Sequence, residues 1–167
     1  MAAPIVYDQA NGLQRFLRRF AASGPGSWLF ARVLHHIDRP VHRLTRGRYT
    51  FANLLSGIPV VMLTTIGARS GQPRTVPVLG IPTRGDVAVI GSNFGQHRHP
   101  AWSHNLRAHP DATVSIDGVS RRVRAVEADD ERRAEIWRDG LRMYPGFAQY
   151  ERRASHRRIS VFVLQAV

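Results

Sequence analysis

The chain of 167 residues is long enough to bury a hydrophobic core as one domain, and its 43% hydrophobic residues exclude a mainly disordered protein. The absence of cysteine excludes a disulfide framework, a thiolate metal site, an iron–sulfur cluster and a cysteine nucleophile. All 24 basic residues are arginines against 12 acidic residues. The formal charge of +12 therefore predicts an anionic partner: a phosphorylated cofactor, nucleic acid or an acidic membrane surface.

The first third of the chain is predicted to be helical and basic. Its first helix has apolar residues at helical spacing, namely Leu13, Phe16, Leu17 and Phe20. Glycine and proline at 24–26 break this helix, and a second helix is expected from Ser27 until Pro40 ends it. We interpret residues 1–56 as a basic helical leader packed on the rest of the protein. The alternative is a peripheral contact of residues 13–37 with an anionic membrane, since no segment is long enough to span a bilayer.

From residue 57 the pattern changes to short strands. The predicted elements, in chain order, are strands at 58–65, 74–81 and 87–92, a helix at 100–108, strands at 113–117 and 120–126, helices at 129–143 and 145–152, and a strand at 159–164. About six such strands are too many and too short for a doubly wound sheet. We therefore predict that residues 57–167 form an α+β domain, mainly β, in which a small barrel is surrounded by helices.

A basic turn follows the first predicted strand. Two glycines, Gly67 and Gly71, flank a turn whose backbone N–H groups can face an anion. Arg69 and Arg74 are expected on the same side of this turn, and Ser70 adds a hydroxyl group. The turn is a candidate phosphate cradle, and the alternative is an ordinary solvated turn.

A second motif lies where the third predicted strand ends. Small residues at 91–95 lead into a loop and then into the helix that begins at Pro100. Trp102 and Asn105 are three residues apart and share a face of this helix, where they suit a flat heterocycle. The alternative is a core tryptophan with a capping asparagine. The histidines in this stretch match no zinc signature, so no metal site is predicted.

The third motif is aromatic. Tyr144, Phe147 and Tyr150 recur at a spacing of three, which places them on one helical face. The tyrosines bring hydroxyl groups as well as apolar area, so they are candidate proton donors on a lid beside a substrate. Packing in the protein core is the alternative.

These three motifs, in this order, resemble the deazaflavin-dependent nitroreductase family, which includes the nitroimidazole-activating enzyme of mycobacteria. The matching segments are LTTIGARSGQPRTVPVLGI (63–81), IGSNFGQHRHPAWSHNLRAHPDATV (90–114) and MYPGFAQY (143–150), within a resemblance that covers about residues 55–165. The resemblance implies a split β-barrel of about six antiparallel strands. It also implies the cofactor F420, a deazaflavin with a phosphodiester and an oligoglutamate tail, which the arginines of the basic turn would suit.

The resemblance further implies which residues bind the cofactor. It places the tail at the basic turn, and the ring near the next strand, the 91–95 loop and the helix after Pro100. The implied residues are Arg69, Ser70, Arg74, Pro77, Val78, Leu79, Ser92, Asn93, Trp102 and Asn105. Family members often have lysine where Asn93 stands, and the nitroreductase has tyrosine where Leu79 and Phe147 stand. The missing lysine at Asn93 weakens one contact with an anion. The two missing tyrosine hydroxyl groups lie where the substrate is expected, so the resemblance carries over cofactor binding rather than nitroimidazole reduction.

The implied function is an F420H2-dependent oxidoreductase. Reduced deazaflavin would deliver a hydride to an electron-poor acceptor, such as a quinone, an activated alkene or a nitroheterocycle. A proton must follow the hydride, and Tyr144 is the first candidate donor and Tyr150 the second. Ser92 is the candidate for a hydrogen bond to the ring. These three are the predicted catalytic residues.

Other interpretations stay open at this point. A related split-barrel protein would bind FMN, or another ligand such as haem or a fatty acid, without deazaflavin reductase activity. Nucleic-acid binding would explain the charge, but no helix-turn-helix, zinc or RNP motif is present, so no nucleic-acid partner is predicted. The expected partner is a small-molecule acceptor, and the expected location is cytoplasmic, with membrane association as the alternative. A homodimer is common for such barrels, although no residue pattern here fixes the oligomeric state.

Overall fold

The computed structural model of the chain describes residues 11–26, 59–116 and 118–167. The elements, in chain order, are α1 (Gly12–Ala22), β1 (Val60–Ile66), β2 (Pro73–Thr83), β3 (Asp86–Ile90), α2 (Ala101–Ala108), β4 (Asp111–Ile116), β5 (Val119–Glu127), α3 (Asp130–Met143), α4 (Gly146–Arg153) and β6 (Val161–Ala166). Each strand and helix predicted after residue 57 is present, with ends displaced by no more than about two residues, the usual uncertainty of helix ends.

The six strands form a closed antiparallel barrel in the order β1-β2-β3-β6-β5-β4. This confirms the predicted α+β, mainly β, barrel with helices around it. The β2–β3 hairpin shows how the sequence sets the register. Thr83 pairs with Asp86, and the two residues between them, Arg84 and Gly85, have φ angles of 45° and 90°. Positive φ at both positions defines the tight turn whose twist matches that of the strands.

Two hydrophobic cores lie on opposite faces of the barrel wall. The interior core contains Val61, Leu63, Val89, Trp102, Leu106, Val114, Val123, Ala125, Phe162 and Leu164. The outer core, between the barrel wall and the helices α3 and α4, contains Ile81, Ala88, Ile90, Ile136, Trp137, Met143, Tyr144, Phe147, Tyr150, Val161 and Val163. Because side chains alternate along a strand, β3 and β6 contribute to both cores, which explains their unbroken apolar sequences VAVI and VFVL.

Of the predicted leader, the structure describes residues 11–26. The helix α1 packs against α4, and the carbonyl oxygen of the buried Ala22 accepts a hydrogen bond of 2.7 Å from Arg153 Nη2. Leu13 and Phe16 are each 64% exposed, so part of the apolar face of α1 lies at the surface. The predicted second leader helix lies outside the described residues, and the boundary after residue 56 stays a prediction. In the described ranges, no helix is long and apolar enough to cross a membrane.

Candidate cofactor site

The basic turn connects β1 to β2 and is open to solvent. Its backbone is closed by hydrogen bonds from Gly71 N to Gly67 O at 2.8 Å and from Gly67 N to Gln72 O at 2.9 Å. Gly71 has a φ of 65°, in the left-handed region that favours glycine. Arg69, Ser70 and Arg74 are all exposed. Within the described part of the chain, neither of these guanidinium groups forms an ion pair, so both are available for an anionic ligand.

Asn105 fastens the basic turn to the barrel. Its side-chain oxygen accepts a hydrogen bond of 3.0 Å from Ala68 N, and its amide nitrogen donates one of 3.0 Å to Thr65 Oγ1. Asn105 and Thr65 are both buried. Trp102, one turn earlier on α2, lies in the interior core with its ring centroid 6.0 Å from that of Phe162. The two residues share a helix face as predicted, and that face packs against the barrel.

The strand-end turn, residues 91–96, has an unusual backbone. Asn93, Phe94 and Gly95 follow one another with φ angles of 47°, 56° and 75°. Left-handed conformations cost a non-glycine residue of order 1–3 kcal/mol and persist only where neighbouring groups hold them. Two such residues in succession therefore require specific contacts. One is the hydrogen bond of 2.8 Å from Asn93 Nδ2 to Arg98 O.

The strand-end turn packs tightly on α4. The rings of Phe94 and Tyr150 meet edge to face, with centroids 6.0 Å apart. A Cβ atom at Gly95 would lie 3.0 Å from the Cβ of Arg153 and 3.1 Å from the Cα of Tyr150. Only glycine fits such a close approach of two backbones. Ser92, at the start of the turn, is 8% exposed.

The third motif forms a buried aromatic cluster. The hydroxyl groups of Tyr144 and Tyr150 are 2.8 Å apart and share a hydrogen bond. The ring of Phe147 meets both tyrosine rings edge to face, with centroid distances of 5.5 Å to Tyr144 and 6.2 Å to Tyr150. Leu79 of β2 and Phe94 of the strand-end turn pack against the same core. The fold thus brings two of the predicted ring-binding segments, β2 and the strand-end turn, together at the aromatic cluster, whereas Trp102 lies in the interior core and Asn105 at the basic turn.

The strand β2 presents a backbone edge to this neighbourhood. Gly80 N donates to Pro59 O at 2.9 Å, on the β1 side. Because hydrogen bonds alternate along an antiparallel pair, Val78 N–H also points toward β1 and Leu79 N–H points to the opposite edge. Pro77 has no N–H group. The edge away from β1 pairs with β3 only from Gly80 to Thr83, so Leu79 lies just beyond the paired region and can offer a backbone donor there.

Titratable groups surround the loop that follows the strand-end turn. Burial, followed by the charges of Arg157 and Arg107, lowers the pKa of His99 below its ordinary 6.5. Arg107 donates two hydrogen bonds to Glu127, at 2.9 and 2.6 Å, and these lower the pKa of the carboxyl group. His, Asp and Glu side chains form no cluster suited to a metal ion in the ranges that the structure covers.

The model of the F420H(2)-dependent quinone reductase family matches residues 37–166. This chain belongs to that family. It is 31% identical over 118 residues to the F420H(2)-dependent quinone reductase Rv1261c of Mycobacterium tuberculosis, covering 66% of this chain and 76% of the relative.

Two solved structures have the same fold. An F420-H2 dependent reductase, FDR-A, is 32% identical with a TM-score of 0.59, over 64% of this chain and 94% of that chain. A protein described as a domain-swapped dimer is 27% identical with a TM-score of 0.62, over 85% of this chain and all of that chain. The predicted split barrel, the class of F420H2-dependent oxidoreductase and F420 as the cofactor are confirmed by the family, and FMN is not favoured.

The residues present fit F420. The exposed guanidinium groups of Arg69 and Arg74 and the open turn between them suit a phosphodiester and carboxylates. The apolar and aromatic cluster beside Leu79 suits a flat ring. The roles of individual residues stay predictions, and for Trp102 and Asn105 the contacts support packing and positioning roles beside the predicted contact with the ring.

Arg157 contacts the strand-end turn and cannot be recognised as a site residue from the sequence. It lies in the run RRASHRR, where neither spacing nor neighbours distinguish it from the other arginines. The left-handed backbone at Phe94 was also not predicted, because only glycine and asparagine signal such positions in a sequence.

Proposed function

We propose that the chain binds F420 along β2, with the tail at the basic turn and the ring between Leu79, the strand-end turn and the tyrosine pair. In this arrangement the protein transfers a hydride from F420H2 to a quinone. The family supports the cofactor and the class of acceptor. The geometry supports the position of each end of the cofactor.

The observation that carries this proposal is the layout of β2. Arg74 at its start lies beside the basic turn, and Leu79 lies at the aromatic cluster. Leu79 is five positions further along the strand than Arg74, which corresponds to about 17 Å of extended strand. F420 has its anionic phosphodiester and glutamates at one end of a flexible chain and its apolar ring at the other. One strand thus connects a cationic, exposed end with an apolar, buried end, in the order that this cofactor requires.

When bound, F420H2 supplies the hydride. A quinone that receives a hydride also needs one proton to become a hydroquinone. The hydrogen-bonded hydroxyl groups of Tyr144 and Tyr150 form a relay, because a proton released by one can be replaced through the other. Both side chains are buried, which limits the access of bulk water. Ser92 and Leu79 N–H are the polar groups proposed to orient the ring.

The first test is binding of the cofactor. Purified apoprotein is titrated with F420 while the fluorescence of F420 is followed, with FMN titrated in parallel. Binding of F420 at micromolar concentration with much weaker binding of FMN is expected. Oxidation of F420H2 by the simple quinone menadione, followed as the return of F420 absorbance, then tests the reaction. Tight FMN binding without F420 binding would contradict the proposal.

The proton relay is tested separately with Tyr144→Phe and Tyr150→Phe. A general acid contributes about 10²–10⁴-fold to a rate, so Tyr144→Phe should lower kcat with menadione by at least about tenfold. F420 affinity should change little. Phe147→Leu is the matched control, since it alters packing in the same cluster and removes no hydroxyl group. If Tyr144→Phe leaves turnover unchanged with every acceptor, its role as the donor is wrong.

We also propose that the leader contacts an anionic membrane, where lipid-soluble quinones are found, while the enzyme stays on the cytoplasmic side. Leu13, Phe16 and Phe20 are exposed on α1 with the exposed Arg15 and Arg19 nearby. Exposed apolar and cationic groups on one helix are typical of interfacial binding. Flotation with anionic vesicles should carry the protein upward, and Leu13→Asp with Phe16→Asp should abolish this. Equal flotation of the variant would contradict the proposal.

A homodimer is the remaining proposal on partners. It is supported by the related structure described as a domain-swapped dimer. Light scattering on the full chain should give a mass near twice 18.8 kDa. A monomer mass across the micromolar range would exclude it.

A further inference from the structure

Arg157 connects the segment after α4 to both ends of the strand-end turn. Its Nη2 donates to Ser92 O at 2.8 Å, and its Nε donates to Gln96 O at 3.1 Å. A longer contact of 3.4 Å joins Nη1 to Gly91 O. Planar guanidinium groups present several donors in a fixed arrangement, so one side chain can hold carbonyl groups from two separate peptide units.

These contacts flank the part of the turn whose backbone conformation is least favourable. Ser92 has a right-handed backbone (φ −67°, ψ −31°) and Asn93 a left-handed one. Successive right- and left-handed residues direct neighbouring N–H groups into a common concavity, which binds anionic or carbonyl oxygens. Arg157 lies outside the turn and binds its carbonyl groups, so it holds the two ends of this strained segment together.

Because the peptide group is planar, the hydrogen bond from Arg157 to Ser92 O also affects a group on the other side of the turn. The C=O of Ser92 and the N–H of Asn93 belong to one trans peptide and point in opposite directions. Ser92 O accepts from Gly95 N at 2.9 Å within the turn and from Arg157 outside it, and the two donors together fix the direction of Asn93 N–H, away from the guanidinium. Among the described residues, no group accepts a hydrogen bond from Asn93 N–H. This donor is therefore available to a ligand.

We infer that Arg157 is a positioning residue for the cofactor: it holds the strand-end turn so that Asn93 N–H points at a carbonyl oxygen of the deazaflavin ring. The inference rests on the proposed location of the ring. Arg157 itself touches neither cofactor nor quinone in this arrangement. Its removal should therefore impair ring binding and hydride transfer, and leave the recognition of the quinone largely as it was.

The experiment compares Arg157→Ala and Arg157→Lys with wild type in F420 titration and in menadione reduction. We expect F420 affinity to fall about tenfold, equivalent to about 1.4 kcal/mol, and kcat to fall as well. The KM for menadione at saturating F420 should change little. Lysine should restore little, because an ammonium group lacks the planar fork. Guanidinium ions at millimolar concentration should partly restore binding to the alanine variant, and ammonium ions should not.

Arg158→Ala is the matched control. Arg158 is the adjacent arginine and forms a surface ion pair with Asp130, so its removal takes away the same charge outside the turn. It should bind F420 as wild type does. If Arg157→Ala does not fold, Arg157→Lys decides the question.

Several outcomes would overturn the inference. Wild-type F420 affinity and kcat in Arg157→Ala would show that the strand-end turn keeps its conformation without the hydrogen bonds of Arg157. Full recovery in Arg157→Lys would show that charge matters and geometry does not. An equal loss in Arg158→Ala would indicate a long-range charge effect. If wild type binds F420 and the variants give one of these outcomes, only the role of Arg157 is wrong and the proposed function stands. If wild type binds no F420, the proposed function and the role of Arg157 are both wrong.

Discussion

The two turns at the ends of the proposed cofactor site are built in opposite ways. The basic turn is exposed, has one left-handed residue, Gly71, and leaves Arg69 and Arg74 without ion pairs in the described part of the chain. The strand-end turn is packed on α4 and has three successive left-handed residues.

This difference corresponds to what each end of F420 requires. An oligoglutamate tail is flexible and repetitive, so exposed cations can bind it in many geometries. Hydride transfer requires reacting atoms within about 3–3.5 Å, so the ring must be held in one geometry. A strained backbone held in place by packing can fix the ring in one geometry, and binding of the tail does not require it. Substitutions that affect the two turns unequally can test this comparison.

The largest contrast is expected between Gly95→Ala and Gly71→Ala. Both glycines have positive φ, so each substitution costs about 1–2 kcal/mol in the backbone. A Cβ atom at Gly71 meets nothing within 4 Å, whereas at Gly95 it approaches the backbone of Tyr150. Overpacking of this kind adds about 1–3 kcal/mol. Urea unfolding should show the larger loss for Gly95→Ala, and equal losses would mean that the strand-end turn is less constrained than its contacts indicate.

Asn105 should show the next largest effect, because it connects α2 to the basic turn. Asn105→Ala leaves Ala68 N–H and the buried Thr65 hydroxyl without this partner, at a cost of about 1–3 kcal/mol for a buried group. Asn105→Asp retains the acceptor for Ala68 and loses the donor to Thr65. Because the aspartate also places a carboxylate at a position that is 8% exposed, thermal unfolding should show both variants to be less stable than wild type. An alanine variant as stable as wild type would contradict the fastening role.

The strands and the motif order could be predicted from the sequence, because alternating and unbroken apolar runs report burial on one or both faces of a strand. The basic turn could also be predicted, because its glycines indicate a turn and its arginines indicate an anion site within a few residues of sequence. The direction in which Asn105 points was not visible, because two residues three apart share a helix face whether that face is buried or open. Arg157 depends on a contact across 65 positions of the chain, which no local pattern encodes.

A smaller effect on affinity is expected at the basic turn. Arg69→Ala with Arg74→Ala should weaken F420 binding about tenfold at low salt, and less at high salt, because exposed charges are screened within about 10 Å at 0.1 M. Stability should stay near that of wild type. The deazaflavin ring with its ribityl chain alone, without phosphate and glutamates, should bind the variant and wild type equally. Unequal binding of this fragment would show that the turn also contacts the ring.

The smallest effect is expected in the pH dependence of stability and involves His99, which lies close to the strand-end turn. The pKa of His99 is lowered in the folded protein by burial and by Arg157 and Arg107, so the unfolded chain binds the proton more readily. The stability associated with neutral His99 is therefore fully present above pH 6.5 and is lost as the pH falls through the lower, folded pKa. Urea unfolding at pH 7.5 and 5.5 should show a smaller loss of stability in His99→Gln than in wild type. The other histidines are present in both proteins and cancel in this comparison, and the difference should be modest because His99 is only partly buried. An unchanged pH dependence in His99→Gln would mean that the arginines around the strand-end turn do not repel a charge at this position, and that Arg157 acts on the turn through its hydrogen bonds alone.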